Sequence, residues 1–191
     1  MDYKKIVNNK QTFWTKIIGT IWITGITASG KTTLGSRLYS DLLDLGCRNL
    51  EFLDGDELRK RIGSKYGHSL EDRFNVLEQI VALAKKLSGE GKIIIVSTVS
   101  HKRAMREFAR KELKNFIEVY LECRPEICAK RDYKGVYEKA KRGEGELFVG
   151  VTEDYELSDA PDLLIHTSNK TPEKCSKELL NYVLDHLQLR E

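Results

Sequence analysis

Thr20-Ile21-Trp22-Ile23-Thr24 runs directly into Gly25-Ile26-Thr27-Ala28-Ser29-Gly30-Lys31-Thr32, and this junction decides how the chain is read. The first five residues are β-branched or aromatic and stop at a glycine, the pattern of a short strand. From Thr32 to Leu45, the spacing of Leu34, Leu38, Leu42 and Leu45 predicts a helix, with Gly46 as its stop. Between strand and helix stands the pattern G-x-x-x-x-G-K-[ST], which chance would place in about one chain in a hundred of this length or fewer. Gly25 and Gly30 allow backbone conformations closed to other residues, so successive N–H groups can converge on phosphate oxygens. The positive end of the following helix adds to that field. A nucleoside triphosphate, ATP with Mg²⁺, is the expected ligand. Lys31 would reach the β- and γ-phosphates and Thr32 would ligate the metal, with Ile26, Thr27, Ala28, Ser29 and Thr33 completing the cradle.

Downstream the chain alternates strand and helix signals. Leu50-Phe52-Leu53, Lys92–Val96, Phe116–Cys123 and Leu163–His166 read as strands. Helical spacing covers about Ser69 to Ser88, His101 to Leu113, a segment from Pro125, and Pro172 to Leu187. Lys92-Ile93-Ile94-Ile95-Val96 has no polar face and so reads as a strand buried on both sides of a parallel sheet. The expected class is α/β, a P-loop nucleoside-triphosphate fold whose parallel sheet of about five strands carries helices on both faces. Residues 1–19 read as an N-terminal extension and 20–191 as one kinase-sized domain. The stretch from about 132 to 160, rich in Gly, Lys and Glu without periodicity, reads as a mobile lid.

Composition narrows the partners. With 32 Lys+Arg against 29 Asp+Glu, the net charge of +3 does not suggest a nucleic-acid partner, while local basic clusters could still hold small phosphates. No apolar run approaches the roughly 20 residues of a membrane span, and no leader pattern precedes the first strand, so a cytoplasmic location is expected. Cys47, Cys123, Cys128 and Cys175 form no C-x-x-C pair and read as reduced thiols used in packing.

The phosphate loop says nothing about an acceptor. Asp54-Gly55-Asp56 ends the second strand, at the sheet edge where open α/β folds bind ligands. One carboxylate could hold Mg²⁺ while the other takes a proton from an attacking hydroxyl. A helix N-cap is the plain alternative for either residue. Arg59 and Arg73 would be surface residues unless the acceptor carries its own phosphate. Lys102, Arg103, Arg106 and Arg110 read mainly as a solvated helix face, with Arg103 or Arg106 able to turn toward the nucleotide. Tyr133, Tyr137 and Tyr155 read as lid anchors, and Phe148 as a platform for a base.

Taken in order, the phosphate loop, Leu53-Asp54-Gly55-Asp56-x-x-Arg59, Asp72-Arg73, Ser97-x-x-Ser100, Phe116-Ile117-Glu118-Val119-Tyr120, Arg131-Asp132-x-Lys134-Gly135-x-Tyr137-x-Lys139-Ala140 and Phe148-x-Gly150 resemble the adenylyl-sulfate (APS) kinase family. The likeness runs from about Thr20 to Leu187. It implies transfer of the ATP γ-phosphoryl group to the ribose 3′-hydroxyl of a small-molecule nucleotide, in a homodimer. By that likeness Asp56 is the base, Lys31 acts with it, and Thr32 and Asp54 serve the metal. Arg59 and Arg73 grip the acceptor's acidic anhydride, with Val99 and Ser100 on the same side. Phe148 stacks on the acceptor base, Lys134 and Lys139 close over the site, and Arg131 lies along the adenine of ATP.

Departures from the family pattern cluster on the acceptor side. His68 stands where Phe is usual, Val76-Leu77-Glu78-Gln79 where Asn-Ile-Arg-Arg is usual, and His101 where Pro is usual. His68 reads either as an exposed loop residue or as a contact to the acceptor base, and Val76 and Gln79 read as altered acceptor positions. Losing the amide at 76 removes both donor and acceptor, and a pocket that discriminates by polar pairing responds strongly to such changes. Three functions follow: a kinase of APS, in sulfate activation; the same reaction on another activated nucleotide, such as cytidine diphosphoramidate in capsule modification; or a non-catalytic nucleotide-binding module.

Overall fold

A computed structural model describes residues 18–62, 66–67, 69–132, 135–143, 149–150 and 152–188. Its elements are β1 (Thr20–Thr24), α1 (Lys31–Asp44), β2 (Leu50–Asp54), α2 (Gly55–Ile62), α3 (Leu70–Gly89), β3 (Ile93–Ser97), α4 (Arg103–Glu112), β4 (Phe116–Glu122), α5 (Pro125–Arg131), α6 (Val136–Lys141), β5 (Leu163–His166) and α7 (Pro172–Gln188). The five strands form one parallel sheet in the order β2-β3-β1-β4-β5.

The uninterrupted apolar strands divide their residues between two cores. Ile21, Ile23, Ile93 and Ile95 pack with Leu34, Leu38 and Leu42 of α1 and Leu179 and Val183 of α7. Trp22, Ile94 and Val96 point the other way, onto Leu77, Ile80, Val81 and Ala84 of α3 and Met105 and Ala109 of α4. That is the two-residue alternation of a strand whose two faces are both covered. Each large side chain removed from water this way contributes about 2 kcal/mol.

Chain order fixes the site. After β1 the chain leaves through α1 on one face toward β2; after β3 it leaves through α4 on the other face toward β4. A crevice therefore opens between the carboxyl ends of β1 and β3, at the switch point of the sheet. Two non-glycine residues with positive φ border it: Ala28 (φ 61°) after β1 and Ser100 (φ 40°) after β3. Such conformations are costly and gather at functional sites.

Two helices lie where the sequence marked none. Gly55–Ile62 forms α2, and Val136–Lys141 forms α6 inside the supposed lid. Residues 152–159 are a strap bonded to α4: Glu156 N–H donates to His101 O (2.8 Å), Arg103 N–H to Glu156 Oε2 (2.8 Å), and Arg103 Nε to Leu157 O (3.0 Å). This latter part of the expected lid is held to the body by main-chain and helix-capping bonds. The N-terminal segment 1–17, His68, Tyr133, Lys134 and Phe148 lie outside the described residues. Among the described residues no helix is long and apolar enough to cross a membrane.

Candidate active site

The loop between β1 and α1 has the backbone that its glycines require. Gly25 has φ 147°, and a Cβ there would lie 2.6 Å from Leu121 O and 2.8 Å from Ser29 Oγ. Gly30, at φ 102°, is the left-handed residue that turns the chain into α1. Lys31 Nζ donates to Ile26 O at 2.7 Å, folding back over the loop. Ser29 is buried and its hydroxyl has no hydrogen-bond partner.

This loop forms one wall of a cleft of about 540 Å³. Thr27, Ala28, Ser29, Gly30, Lys31, Thr32, Thr33, Asp54, Asp56, Val99 and Arg131, all singled out from the sequence, line it. Gly25 and Ile26 support the loop from beneath, Ile26 packing on Cys123, Cys128 and Tyr137. Thr98, Asp132, Thr167 and Lys170 also line the cleft; Asp132 stood in a quoted motif without a role assigned to it, and the other three stand in loops without a motif. Arg131 is held there by donating to Thr167 O (2.8 Å).

Asp54 is the helix cap that the sequence offered as the plain alternative, and it also meets the phosphate loop. Its Oδ1 accepts the N–H groups of Asp56 (3.0 Å) and Glu57 (3.2 Å), capping α2, while Oδ2 accepts the Thr32 hydroxyl at 2.7 Å. A hydroxyl and a carboxylate side by side are hard oxygen donors suited to Mg²⁺. No group of three or more His, Cys, Asp or Glu among the described residues could hold a metal. Two protein oxygens alone would leave most of the shell of a divalent ion to phosphate and water, the usual habit of Mg²⁺.

Tyr137 and Tyr155 are anchored. Tyr137 is buried, its hydroxyl donating to Thr27 O (3.1 Å) and its N–H to Asp132 Oδ2 (2.8 Å), which ties α6 to the phosphate loop. Thr24 Oγ1 donates to Val99 O (2.5 Å) and so accepts from the Tyr155 hydroxyl (2.8 Å). Tyr155 stacks on Tyr120 with ring centroids 5.4 Å apart, and burial drives both phenol pKa values upward.

On the acceptor side, Arg59 donates to Gly67 O, and Arg73 Nε lies 3.9 Å from Glu153 Oε2. Burial pulls the Arg73 pKa down, Glu153 opposes this, and the charge of Arg59 adds to it. His101, only 1% exposed, meets Glu153 Oε1 at 2.7 Å. Burial holds its pKa below the ordinary 6.5 despite the carboxylate, so at neutral pH it is uncharged and donates through Nε2. Lys102 Nζ stands 3.8 Å from the same carboxylate.

Other residues singled out from the sequence lie away from this cleft. Val76 packs in the core against α4 and the sheet and Gln79 is exposed on α3, so neither lines the cleft; Glu78 is likewise exposed. Ser100 faces the interior, its Oγ accepting from Trp22 Nε1 (3.3 Å) and its carbonyl from Arg106 (2.8 Å). Lys139 is exposed on α6 and lines no part of the cleft. Arg106 is neither solvated nor near the nucleotide side: it is 3% exposed, pairs with buried Glu118 at 3.2 Å and lies over the Tyr155 ring. Arg103 is taken up by Leu157 and Asp159. The four cysteines are free and buried as expected, with burial raising Cys47 to about 11 and Cys128 to about 12.

Comparison with known proteins agrees with this geometry. The sequence model of the adenylylsulphate kinase family matches residues 18–166. A probable adenylyl-sulfate kinase of Archaeoglobus fulgidus is 45% identical over 147 residues, 77% of this chain and 94% of the relative. A cytidine diphosphoramidate kinase of Campylobacter jejuni is 40% identical over 148 residues, 78% and 85% of the two chains. Among solved structures, the Mycobacterium tuberculosis APS kinase CysC in complex with AMPPNP and APS aligns with TM-score 0.82 at 29% identity, covering 88% of this chain and 98% of the other.

Proposed function

The chain belongs to the adenylylsulphate kinase family, and from that premise we propose that it transfers the γ-phosphoryl group of ATP to the ribose 3′-hydroxyl of an activated nucleotide. Adenylyl sulfate is the acceptor that the breadth of relatives favours. The single observation carrying the reaction is the shared cleft in which Lys31, Thr32, Asp54 and Asp56 converge.

ATP supplies the phosphoryl group; Thr32 and Asp54 would hold Mg²⁺, which would supply charge neutralisation when bound. The chain's own residues do the rest by placement and electrostatics, the terms that dominate phosphoryl transfer. Loop amides and Lys31 hold the phosphate chain, Lys31 exchanging its internal bond to Ile26 O for phosphate oxygens. Arg131 borders the nucleoside side. Asp56, exposed at the first turn of α2, takes the proton of the attacking hydroxyl. Arg59 and Arg73 bind the acceptor's anhydride, with Phe148, His68 and Lys134 supplying the base and lid contacts that the family resemblance implies. The protein acts in the cytoplasm as a homodimer.

A second reading keeps the reaction and changes the acceptor to one like cytidine diphosphoramidate. It is favoured by the Campylobacter relative and by a buried His101–Glu153 pair where the family pattern has proline at 101. Measuring acceptor-dependent ATP consumption tests the proposal: a kcat/KM within about 10⁴–10⁸ M⁻¹s⁻¹ on either acceptor supports it, and ATP turnover independent of any nucleotide acceptor contradicts it.

A further inference from the structure

Glu153 is an anomaly on the acceptor side. Its main chain is fixed, since Gly150 N–H donates to Glu153 O (2.8 Å) and Val149 bridges to it. Its side chain is 14% exposed and divided between two environments. Oε1 is satisfied by His101, whereas Oε2 is buried without a hydrogen-bond partner among the described residues, the Arg73 guanidinium remaining 3.9 Å away. A carboxylate oxygen only accepts, so a buried one without a donor is unfavourable until a donor arrives. Arg73 beside it only donates. Together they form a donor next to an acceptor, which matches a terminal group carrying an anionic oxygen and an N–H on the same atom.

Resting on the kinase reading and sharpening its second form, we propose that Glu153 reads the far end of the acceptor and selects a terminal phosphoramidate over a terminal sulfate. The two groups are tetrahedral and carry one negative charge each. They differ in that every outer atom of the sulfate is an acceptor, whereas the amidate offers –NH₂. Sulfate would set an oxygen against Glu153 Oε2 with no proton between them. The amidate places its N–H on Oε2 while its oxygens meet Arg73. A site built around such a polar pair rejects the analogue that lacks it by large factors.

The test uses four acceptors: adenylyl sulfate, cytidylyl sulfate, and the β-amidates of ADP and CDP. Each is assayed for kcat/KM with the whole protein and with Glu153→Gln. Within each nucleoside, the native protein should favour the amidate by about 10²-fold or more. Glu153→Gln, whose amide can donate to a sulfate oxygen, should shrink that preference to less than about tenfold, chiefly by improving sulfate. Glu153→Asp, which keeps the carboxylate, should retain the amidate preference and serves if the glutamine variant does not fold. Equal or better use of sulfate by the native protein overturns the proposal. So does an equal loss on both acceptors in Glu153→Gln, which would make the residue a support for Arg73 only. Turnover without preference defeats this inference alone; no turnover with any of the four defeats the kinase reading and this inference with it.

Discussion

The Thr32 hydroxyl donates to Asp54 Oδ2 at 2.7 Å while the other oxygen of the same carboxylate caps α2. One side chain therefore joins the phosphate loop to the helix that carries Asp56. Asp54→Ala removes both functions, costing about 1 kcal/mol of stability from the cap and raising the magnesium needed for half-maximal activity. Asp54→Asn keeps an oxygen for the two amides, so its melting temperature should stay close to native while its magnesium requirement still rises. Thermal melts and magnesium titrations of both variants check the separation.

Lys31→Ala leaves the fold intact, because the lost bond to Ile26 O involves a main-chain carbonyl at the cleft. Its kcat should fall about 10²–10³-fold, the usual effect of removing a preorganised donor to developing charge. Near-native turnover would mean that the loop does not hold the transferred phosphate.

Asp56→Asn should lower kcat about 10²–10⁴-fold, the usual contribution of a positioned base. ATP affinity, read by equilibrium binding, should change little. A variant that loses ATP affinity and keeps its rate would move Asp56 to the metal.

Arg106→Ala should be severely destabilising. Arg106 and Glu118 are 3% and 5% exposed, and removing the arginine leaves Glu118, among the described residues, with the half-exposed Arg110 as its cation. A loss of about 3 kcal/mol in urea unfolding is expected. A loss under about 1 kcal/mol would show that the buried pair contributes little to the fold.

His101 makes stability depend on pH. Its folded-state pKa lies below the ordinary 6.5 because burial outweighs Glu153, and Arg73 and Lys102 press the same way. The unfolded chain therefore binds this proton more readily, so the contribution of neutral His101 is complete above about pH 6.5 and is lost as pH falls toward the folded pKa, by at most about 1.4 kcal/mol per pH unit. His101→Asn should lose that component, so the native-minus-variant difference should decline below pH 6.5. A difference that is flat through pH 5 contradicts the assignment.

The strands and the phosphate loop were legible because their signals are local. Leu34, Leu38 and Leu42 recur every four residues, and Ile93–Val96 has no polar face to hide. Helix α2 was not legible because five of its eight residues are charged and its apolar side chains, Leu58 and Ile62, cannot mark a stripe. Arg106 was misread for a different reason. Arginine on a helix is normally solvated, and only the sheet brings Glu118 beneath it. The pairing of His101 with Glu153 spans 52 positions, so no spacing announces it. The family pattern flagged His101 as unusual, but Glu153 passed as one more acidic residue in a charged segment. Val76 illustrates the converse, since the motif alignment pointed to the acceptor whereas its helical position faces the core.

The most direct test of the central claim is transfer of label from [γ-³²P]ATP to nucleotide acceptors, with the labelled position identified by digestion with a 3′-nucleotidase. The account predicts an acceptor-dependent product whose label is released by that enzyme and whose formation Lys31→Ala slows by about 10²–10³-fold. Label appearing only as free phosphate, or on an acceptor atom other than the ribose 3′-oxygen, would contradict it.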